Sequence, residues 1–361
     1  MTIANIACDH YRIPLPTTLS DSTHGDMSDF ELIVVRITDD QGGVGLGYTY
    51  TVGTGARAIH SLIADDLAPA LKGADETAIE ALWKKMWWRL HFVGRGGAAA
   101  FAIAAVDIAL WDLKARRADM PLWRLLGGHD AQVRAYAGGI DLQFPIERLL
   151  EQTRGNLDKG FRAIKMKIGR DRLSEDVSRI AAMRDMLGDE FPLMVDANMR
   201  WSADQAVRAA RAFEDFDLVW LEEPIEPEDI AGHVRLRQLT AIPIATGENF
   251  HSLAEFRAMI EAGGVSFPEP DVATCGGVTV WMKVATLAES HNLPVTSHGV
   301  HDLHVHLLAA VPNASYLEVH GFGLEDFIAE PLRITDGFAT APDRPGHGVA
   351  FDFEGLEKLR V

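Results

Sequence analysis

The stretch AIKMKIG, residues 163–169, is an apolar run interrupted twice, by Lys165 and Lys167. Its length and near-continuous hydrophobicity read as a buried strand of a parallel sheet, and alternation places both lysines on one face of it. The same kind of stretch recurs upstream as VRAYAGG (133–139). Downstream it recurs as PLMVDAN (192–198), LVWLEEP (218–224), PIATGEN (243–249), VSFPEPD (265–271), PVTSHG (294–299) and YLEV (316–319). Helical stretches such as SEDVSRIAAMRDML and ADQAVRAARAFEDF lie between most of them. Parallel strands joined by crossover helices explain the repeat, and eight units predict an α/β fold of the (β/α)8 barrel type. The last unit is irregular, so seven full units with a modified eighth fit the sequence equally well.

Before the barrel the regime differs. FELIVVRITDDQGGVGLGYTYT (30–51) reads as a β-hairpin turning at Asp39, Asp40, Gly42 and Gly43. Helical patterns follow over 55–72, 76–90 and 97–118, which makes an α+β unit over 1–127 with Gly127 and Gly128 at its end. The barrel is expected over 128–331. The tail over 332–361, with Pro342, Pro345 and Gly346, is expected to run back over the first unit.

Composition limits what such a chain can do. Its 361 residues are 47% hydrophobic and 24% charged, the profile of a soluble globular protein with a large core. The opening MTIANIACDHYRIPL lacks a basic start before a long apolar core, so no signal peptide is expected. The most apolar run, AAAFAIAAVDIALW, is broken by Asp107 and too short to span a bilayer. Two distant cysteines, Cys8 and Cys275, argue against a disulfide framework and for a reducing cytoplasm. A net charge of −18 without a Lys/Arg cluster argues against nucleic acid as a partner. An acidic substrate would have to be held by local lysines and a cation.

In a barrel of this type the active site lies at the C-terminal ends of the strands. These ends carry Lys165 and Lys167, then Asp196, Glu222, Glu248, Asp271, His298 and Glu318. From Lys167 the steps are 29, 26, 26, 23, 27 and 20 residues, each about one βα unit. Asp196, Glu222 and Glu248 come from adjacent strands; three carboxylates without His or Cys form a hard oxygen site suited to Mg²⁺ or Mn²⁺ rather than Zn²⁺. Glu223 points to the opposite face and is expected to make a structural contact. Asp271 beside His298 would fix the imidazole tautomer and raise its basicity, giving an acid/base pair. Lys165 next to Lys167 is expected to push the Lys167 pKa down, making a neutral amine accessible.

HDLHVH (301–306) holds an H-x-H but follows the seventh strand in a helical stretch, which does not match a barrel metallohydrolase; His304 near the mouth could still meet substrate. GGVGLG (42–47) and GRGG (94–97) lack phosphate-loop context and read as turn and loop glycines.

Taken together, KMK at 165–167, VDAN at 195–198, WLEEP at 220–224, ATGEN at 245–249, PD followed by GG at 270–277, SHG at 297–299 and YLE at 316–318 resemble the enolase superfamily. Within it the likeness is to the mandelate racemase/muconate lactonizing enzyme family, mandelate racemase-like subgroup. The resemblance covers nearly the whole chain and makes the first unit a capping domain. It implies that Asp196, Glu222 and Glu248 bind Mg²⁺, that Lys167 is one base with Lys165 near the substrate carboxylate, and that His298 with Asp271 serves the other face. Glu318, if protonated, would hydrogen-bond the substrate carboxylate as it becomes an enediolate, and Asn198 would orient substrate. In that superfamily a Lys or His base works beside bound Mg²⁺.

The implied chemistry is removal of a proton α to a carboxylate, leading to racemisation, β-elimination or cycloisomerisation. SDSTHGDMSDFELI (20–33), GYTYTVGTG (47–55), HFVGRGG (91–97) and YAGGIDLQFP (136–145) are similar to the sugar-acid branch, with its anhydro-galactonate cycloisomerases and its galactarate and talarate dehydratases. On that reading His24, Asp26, Tyr48 and Tyr50 are candidate specificity residues on loops that close over a sugar acid. Glu269 stands where related sequences often have Gln, and is expected to point away from the His298–Asp271 pair. A racemase or epimerase of a 2-hydroxy acid, and a sugar-acid binding protein without catalysis, are the alternatives. The family resemblance implies a homo-oligomer.

Overall fold

The computed structural model describes residues 1–320 and 322–361. Three antiparallel strands open the chain: β1 (Ile3–Asp21), β2 (Gly25–Asp39) and β3 (Val44–Thr51), in the order β1-β2-β3. The hairpin of β2 and β3 matches the sequence reading. β1 does not appear in that reading, because Pro14 and Pro16 interrupt its pattern; the ladder with β2 shifts register between Pro14 and Leu19.

Helix Ala98–Arg117 packs across this sheet with fourteen buried residues, most of them alanine, isoleucine, leucine or valine. The contact is backbone to backbone. A Cβ on Gly47 would lie 2.2 Å from the Ala105 carbonyl oxygen, and one on Gly45 would lie 2.1 Å from that of Ala109. Gly42, at φ 81°, is a turn glycine as read, but Gly45 and Gly47 are strand glycines that let a helix approach.

The barrel strands are β4 (Gln132–Gly138), β5 (Ile164–Lys167), β6 (Leu193–Asp196), β7 (Leu221–Glu222), β8 (Ile244–Thr246), β9 (Phe267–Pro268) and β10 (Tyr316–Val319). Each of β4 to β8 pairs in parallel with the next, and β10 pairs in parallel with β4. The seventh position is filled by residues 295–297 without a regular ladder: the Thr296 amide donates to the Pro268 carbonyl at 3.0 Å, and that of Ser315 to Val295 at 2.8 Å. The eighth strand is regular but is followed directly by the 3₁₀ turn Leu324–Phe327 in place of a long helix, which is where the irregularity of the last unit resides. The HDLHVH stretch is helical, within His301–Ala310.

The chain end returns to the first sheet. The Arg12 amide donates to the Leu359 carbonyl at 2.9 Å, the Val361 amide to that of His10 at 3.0 Å, and Arg360 pairs with Asp9 at 2.6 Å. No helix of the described residues is long and apolar enough to cross a membrane.

Candidate active site

The turn between β1 and β2 lies over the C-terminal mouth of the barrel. Asp21 shapes it: its Oδ1 accepts the Thr23 and His24 amides at 2.8 and 2.6 Å, and its Oδ2 pairs with His24 Nδ1 at 2.8 Å. The Ser22 hydroxyl donates to the Ala197 carbonyl at 2.7 Å, and that of Thr23 donates to the Asn198 carbonyl. The turn is thereby fastened onto the loop after β6, and a cavity remains beneath it. His24, Tyr50, Lys167, Asn198, Glu248 and His298 are among its walls.

Under the cavity, one oxygen each from Asp196, Glu222 and Glu248 lies within 4.8 Å of the others. Adjacent parallel strands bring them together: Asp196 is opposite Glu222 on the β6–β7 ladder, and Glu248 follows the end of β8. Glu248 Oε2 is buried without a hydrogen-bond donor. Burial pushes Glu222 up to about 8 against the pull of Lys165. A buried trio of acids with one oxygen unpartnered fits a hard divalent cation, whose charge would remove this repulsion.

The lysines behave differently from the sequence expectation. Lys165 pairs with Glu222, and with Glu318 Oε1 at 2.7 Å; Lys167 pairs with Asp196. Burial pushes the Lys167 pKa down and Lys165 adds to that, but Asp196, Glu248 and Glu222 outweigh both and hold it above the ordinary lysine value. Like-charge repulsion is present, and the neighbouring carboxylates exceed it. Glu318 is corrected in the same way. Burial favours its acid form, yet Lys165 above all, with His298, holds it well below the ordinary carboxyl value, so it is an acceptor here. It accepts the Gly299 amide at 2.9 Å.

His298 Nδ1 lies 3.0 Å from Asp271 Oδ2, leaving Nε2 toward Glu248 at 3.4 Å. Asp271 also accepts the Tyr50 hydroxyl at 2.8 Å and the Ala273 amide at 2.8 Å. Burial lowers the basicity of His298, but Glu248, Glu318 and Asp271 reverse this and raise its pKa well above the ordinary value. Asn198 takes φ 42°, and its Oδ1 is buried without a partner.

Three residues expected at the substrate do not reach it. Asp26 is exposed on β2, because alternation turns Met27 inward and Asp26 out. Tyr48 shares a face with Tyr50 but sits two residues deeper along β3, where its ring packs edge-on against Phe351 at 5.2 Å. Both nitrogens of His304 serve backbone: Nδ1 faces the Gly299 carbonyl at 2.8 Å, and Nε2 accepts the Val272 amide at 2.9 Å. It is a structural residue.

Glu223 makes the contact expected of it, accepting Asn249 Nδ2 at 2.9 Å. Glu269 is buried in the barrel near Tyr136, 3.5 Å from its hydroxyl, and burial raises its pKa well above the ordinary value. The sequence reading missed His320, which lines the cavity. Its position two residues after Glu318, just beyond the end of β10, was the available signal.

This arrangement has known counterparts. Residues 148–355 match the family model described as enolase C-terminal domain-like, and residues 1–127 match that of the mandelate racemase / muconate lactonizing enzyme N-terminal domain. The chain belongs to the mandelate racemase/muconate lactonizing enzyme family. Within this family, a 3,6-anhydro-alpha-L-galactonate cycloisomerase of Streptomyces coelicolor is 57% identical over 99% of both chains. The crystal structure of a racemase from Streptomyces coelicolor A3(2) with bound magnesium is 56% identical, with a TM-score of 0.98 over 99% of this chain and 100% of its own. An L-talarate dehydratase from Polaromonas sp. JS666, complexed with Mg and L-glucarate, is 36% identical, with a TM-score of 0.95 over 100% of this chain and 97% of its own.

Proposed function

We propose that this chain is a sugar-acid cycloisomerase or dehydratase that removes the proton α to a carboxylate and expels an oxygen from the β carbon. The observation that carries the reading is one cavity walled by Lys167 from the second barrel strand and by the Asp271-held His298 from the seventh. Asp196, Glu222 and Glu248 would hold Mg²⁺, with Mn²⁺ as the alternative. Bound there, the ion supplies positive charge for the enediolate and offsets the carboxylates that otherwise hold the lysines protonated.

The protein's own groups do the rest. Lys165, buried behind the cavity wall with its ammonium fixed between Glu222 and Glu318, would lend positive charge near the substrate carboxylate. One member of the Lys167/His298 pair takes the α proton, the other delivers a proton to the departing oxygen as the bond from the β carbon to that oxygen breaks, and the enol becomes a 2-keto-3-deoxy acid. If the departing oxygen belongs to a free hydroxyl, water leaves and the enzyme is a dehydratase. If it bridges the β carbon to the far end of the same molecule, it stays attached and the product is an isomer. The 57% identical cycloisomerase supports the second outcome. Asn198 and His24 would orient the hydroxylated tail.

The test is incubation of the Mg²⁺-loaded protein with anhydro-aldonates, aldonates and aldarates in deuterium oxide. Keto-acid formation is expected. Exchange at the α carbon with epimerisation and no keto acid would instead make it a racemase, a reading supported by the 56% identical structure described as a racemase.

The division into 1–127, 128–331 and 332–361 is part of this proposal, as are a homo-oligomeric state and a cytoplasmic location. Trp88, Phe92 and Val93, exposed in succession on the first unit, support coverage by a second copy. The free thiols of Cys8 and Cys275 support the location. Light scattering of the purified protein tests the former.

A further inference from the structure

His320 has no part in the chemistry above, yet it is built into the same cavity. It is 9% exposed, and neither ring nitrogen has a hydrogen-bond partner among the described residues. Its Nε2 lies 3.7 Å from Glu318 Oε2, outside bonding distance, and its ring is 5.7 Å from that of His298. The edge of Phe322 fixes its plane at 4.5 Å between centroids, and Phe322 is in turn packed against Phe30 at 5.6 Å. Gly138 makes room for it, since a Cβ there would lie 3.2 Å from His320 Cβ and 2.6 Å from Glu318 Oε1. Burial, with His298 assisting and Glu318 opposing, lowers its pKa to about 3, so the ring is neutral.

A neutral imidazole offers one donor and one acceptor. Holding both unpaired in a buried wall costs stability, and an oxygen of the substrate would relieve that cost. A hydroxyl can answer either nitrogen, and a ring ether oxygen can accept from the protonated one. A second carboxylate fits poorly, because it would sit beside the Glu318 carboxylate, 3.7 Å from His320, and near that of Glu248. Lys167 is the one lysine or arginine lining the cavity among the described residues, and it already pairs with Asp196; His24 pairs with Asp21.

We propose that His320 is a substrate-binding residue that recognises an uncharged oxygen in the tail of the sugar acid, and that the cavity thereby selects monocarboxylic over dicarboxylic sugar acids. This rests on the sugar-acid reading above and narrows its substrate class.

The test measures binding and turnover separately. Mg²⁺-loaded wild type, His320→Phe and His320→Gln are titrated calorimetrically with 3,6-anhydro-L-galactonate, galactonate and galactarate, and keto acid is assayed in parallel. At least one monocarboxylate is expected to bind wild type about tenfold or more tightly than galactarate. His320→Phe loses about tenfold or more on that acid and leaves galactarate within a factor of about three, and His320→Gln, which keeps a donor and an acceptor, recovers part of the loss. Equal losses on both classes, a preference of wild type for galactarate, or no binding of either monocarboxylate overturns the proposal. Selective binding without keto acid would strike the proposed reaction and leave His320 standing; keto acid with unselective binding would do the reverse.

Discussion

Tyr50 donates its hydroxyl proton to Asp271 Oδ2 at 2.8 Å, joining residues 221 positions apart in the chain. The bond runs from the first sheet to the barrel, and it ends on the carboxylate that orients His298. A strand of the outer unit therefore helps set the acid/base. Tyr50→Phe removes this bond and leaves those from Ala273 and His298. A hydrogen bond to a charged group contributes about 1.5–3 kcal/mol, so kcat is expected to fall about 10- to 100-fold with KM little changed. A Tyr50→Phe protein with wild-type kcat would remove Tyr50 from the acid/base assembly.

Lys167 and His298 should be separable by isotope exchange. Lys167→Met and His298→Asn are each expected to lower keto-acid production by about 10²- to 10⁴-fold. The variant that still exchanges its α proton with solvent deuterium has lost the group that protonates the departing oxygen; the other has lost the base. A variant retaining more than about a tenth of wild-type activity would show that its residue moves no proton in the rate-determining steps.

Glu248 offers a clean test of the acid trio, because it holds neither lysine through a hydrogen bond. Glu248→Gln removes one buried charge from the trio, so the metal-free variant is expected to melt no lower than wild type. Mg²⁺ at about a hundred times its dissociation constant stabilises a binding protein by about 2.7 kcal/mol. Wild type should show that rise and lose activity in EDTA, and the Mg²⁺-dependent rise should shrink in Glu248→Gln. An equal Mg²⁺ shift in both proteins would place the ion elsewhere.

The barrel and its strand-end acids were legible because short, near-continuous apolar strands at intervals of about 25 residues leave a strong trace in sequence, and most end on a group with known chemistry. β1 was not, because Pro14, Pro16 and scattered polar residues hide a strand whose burial comes from pairing with β2. Depth along a strand leaves even less trace: Tyr48 and Tyr50 look equivalent in sequence, yet one meets Phe351 and the other Asp271. The charge state of Lys167 depended on which carboxylates lie nearest, and spacing alone does not encode that. His304 and His320 show the same limit from opposite sides. Only the structure reveals that one has both nitrogens satisfied and the other has neither.

His306 should govern part of the acid stability. It is buried in the helix His301–Ala310, outside the cavity lining, and its Nε2 bonds the His347 carbonyl at 2.9 Å. Burial, reinforced by His347, lowers its pKa from 6.5 to about 3, against Asp112 and with help from Arg344. Above pH 6.5 the ring is neutral in both folded and unfolded chains, so its contribution is fully present. Between pH 6.5 and 3 the unfolded chain takes up a proton that the folded one refuses, and stability is lost as pH falls. One such proton steepens the curve by up to about 1.4 kcal/mol per pH unit. His306→Gln keeps a donor for the His347 carbonyl but cannot titrate, so urea unfolding of the variant between pH 6 and 4 is expected to show a shallower decline than wild type. His320 carries a similar shift but is present in both proteins, so the difference isolates His306. Parallel curves would mean that His306 accepts its proton in the folded state, which a ring so enclosed could do only if the helix His301–Ala310 opened to water.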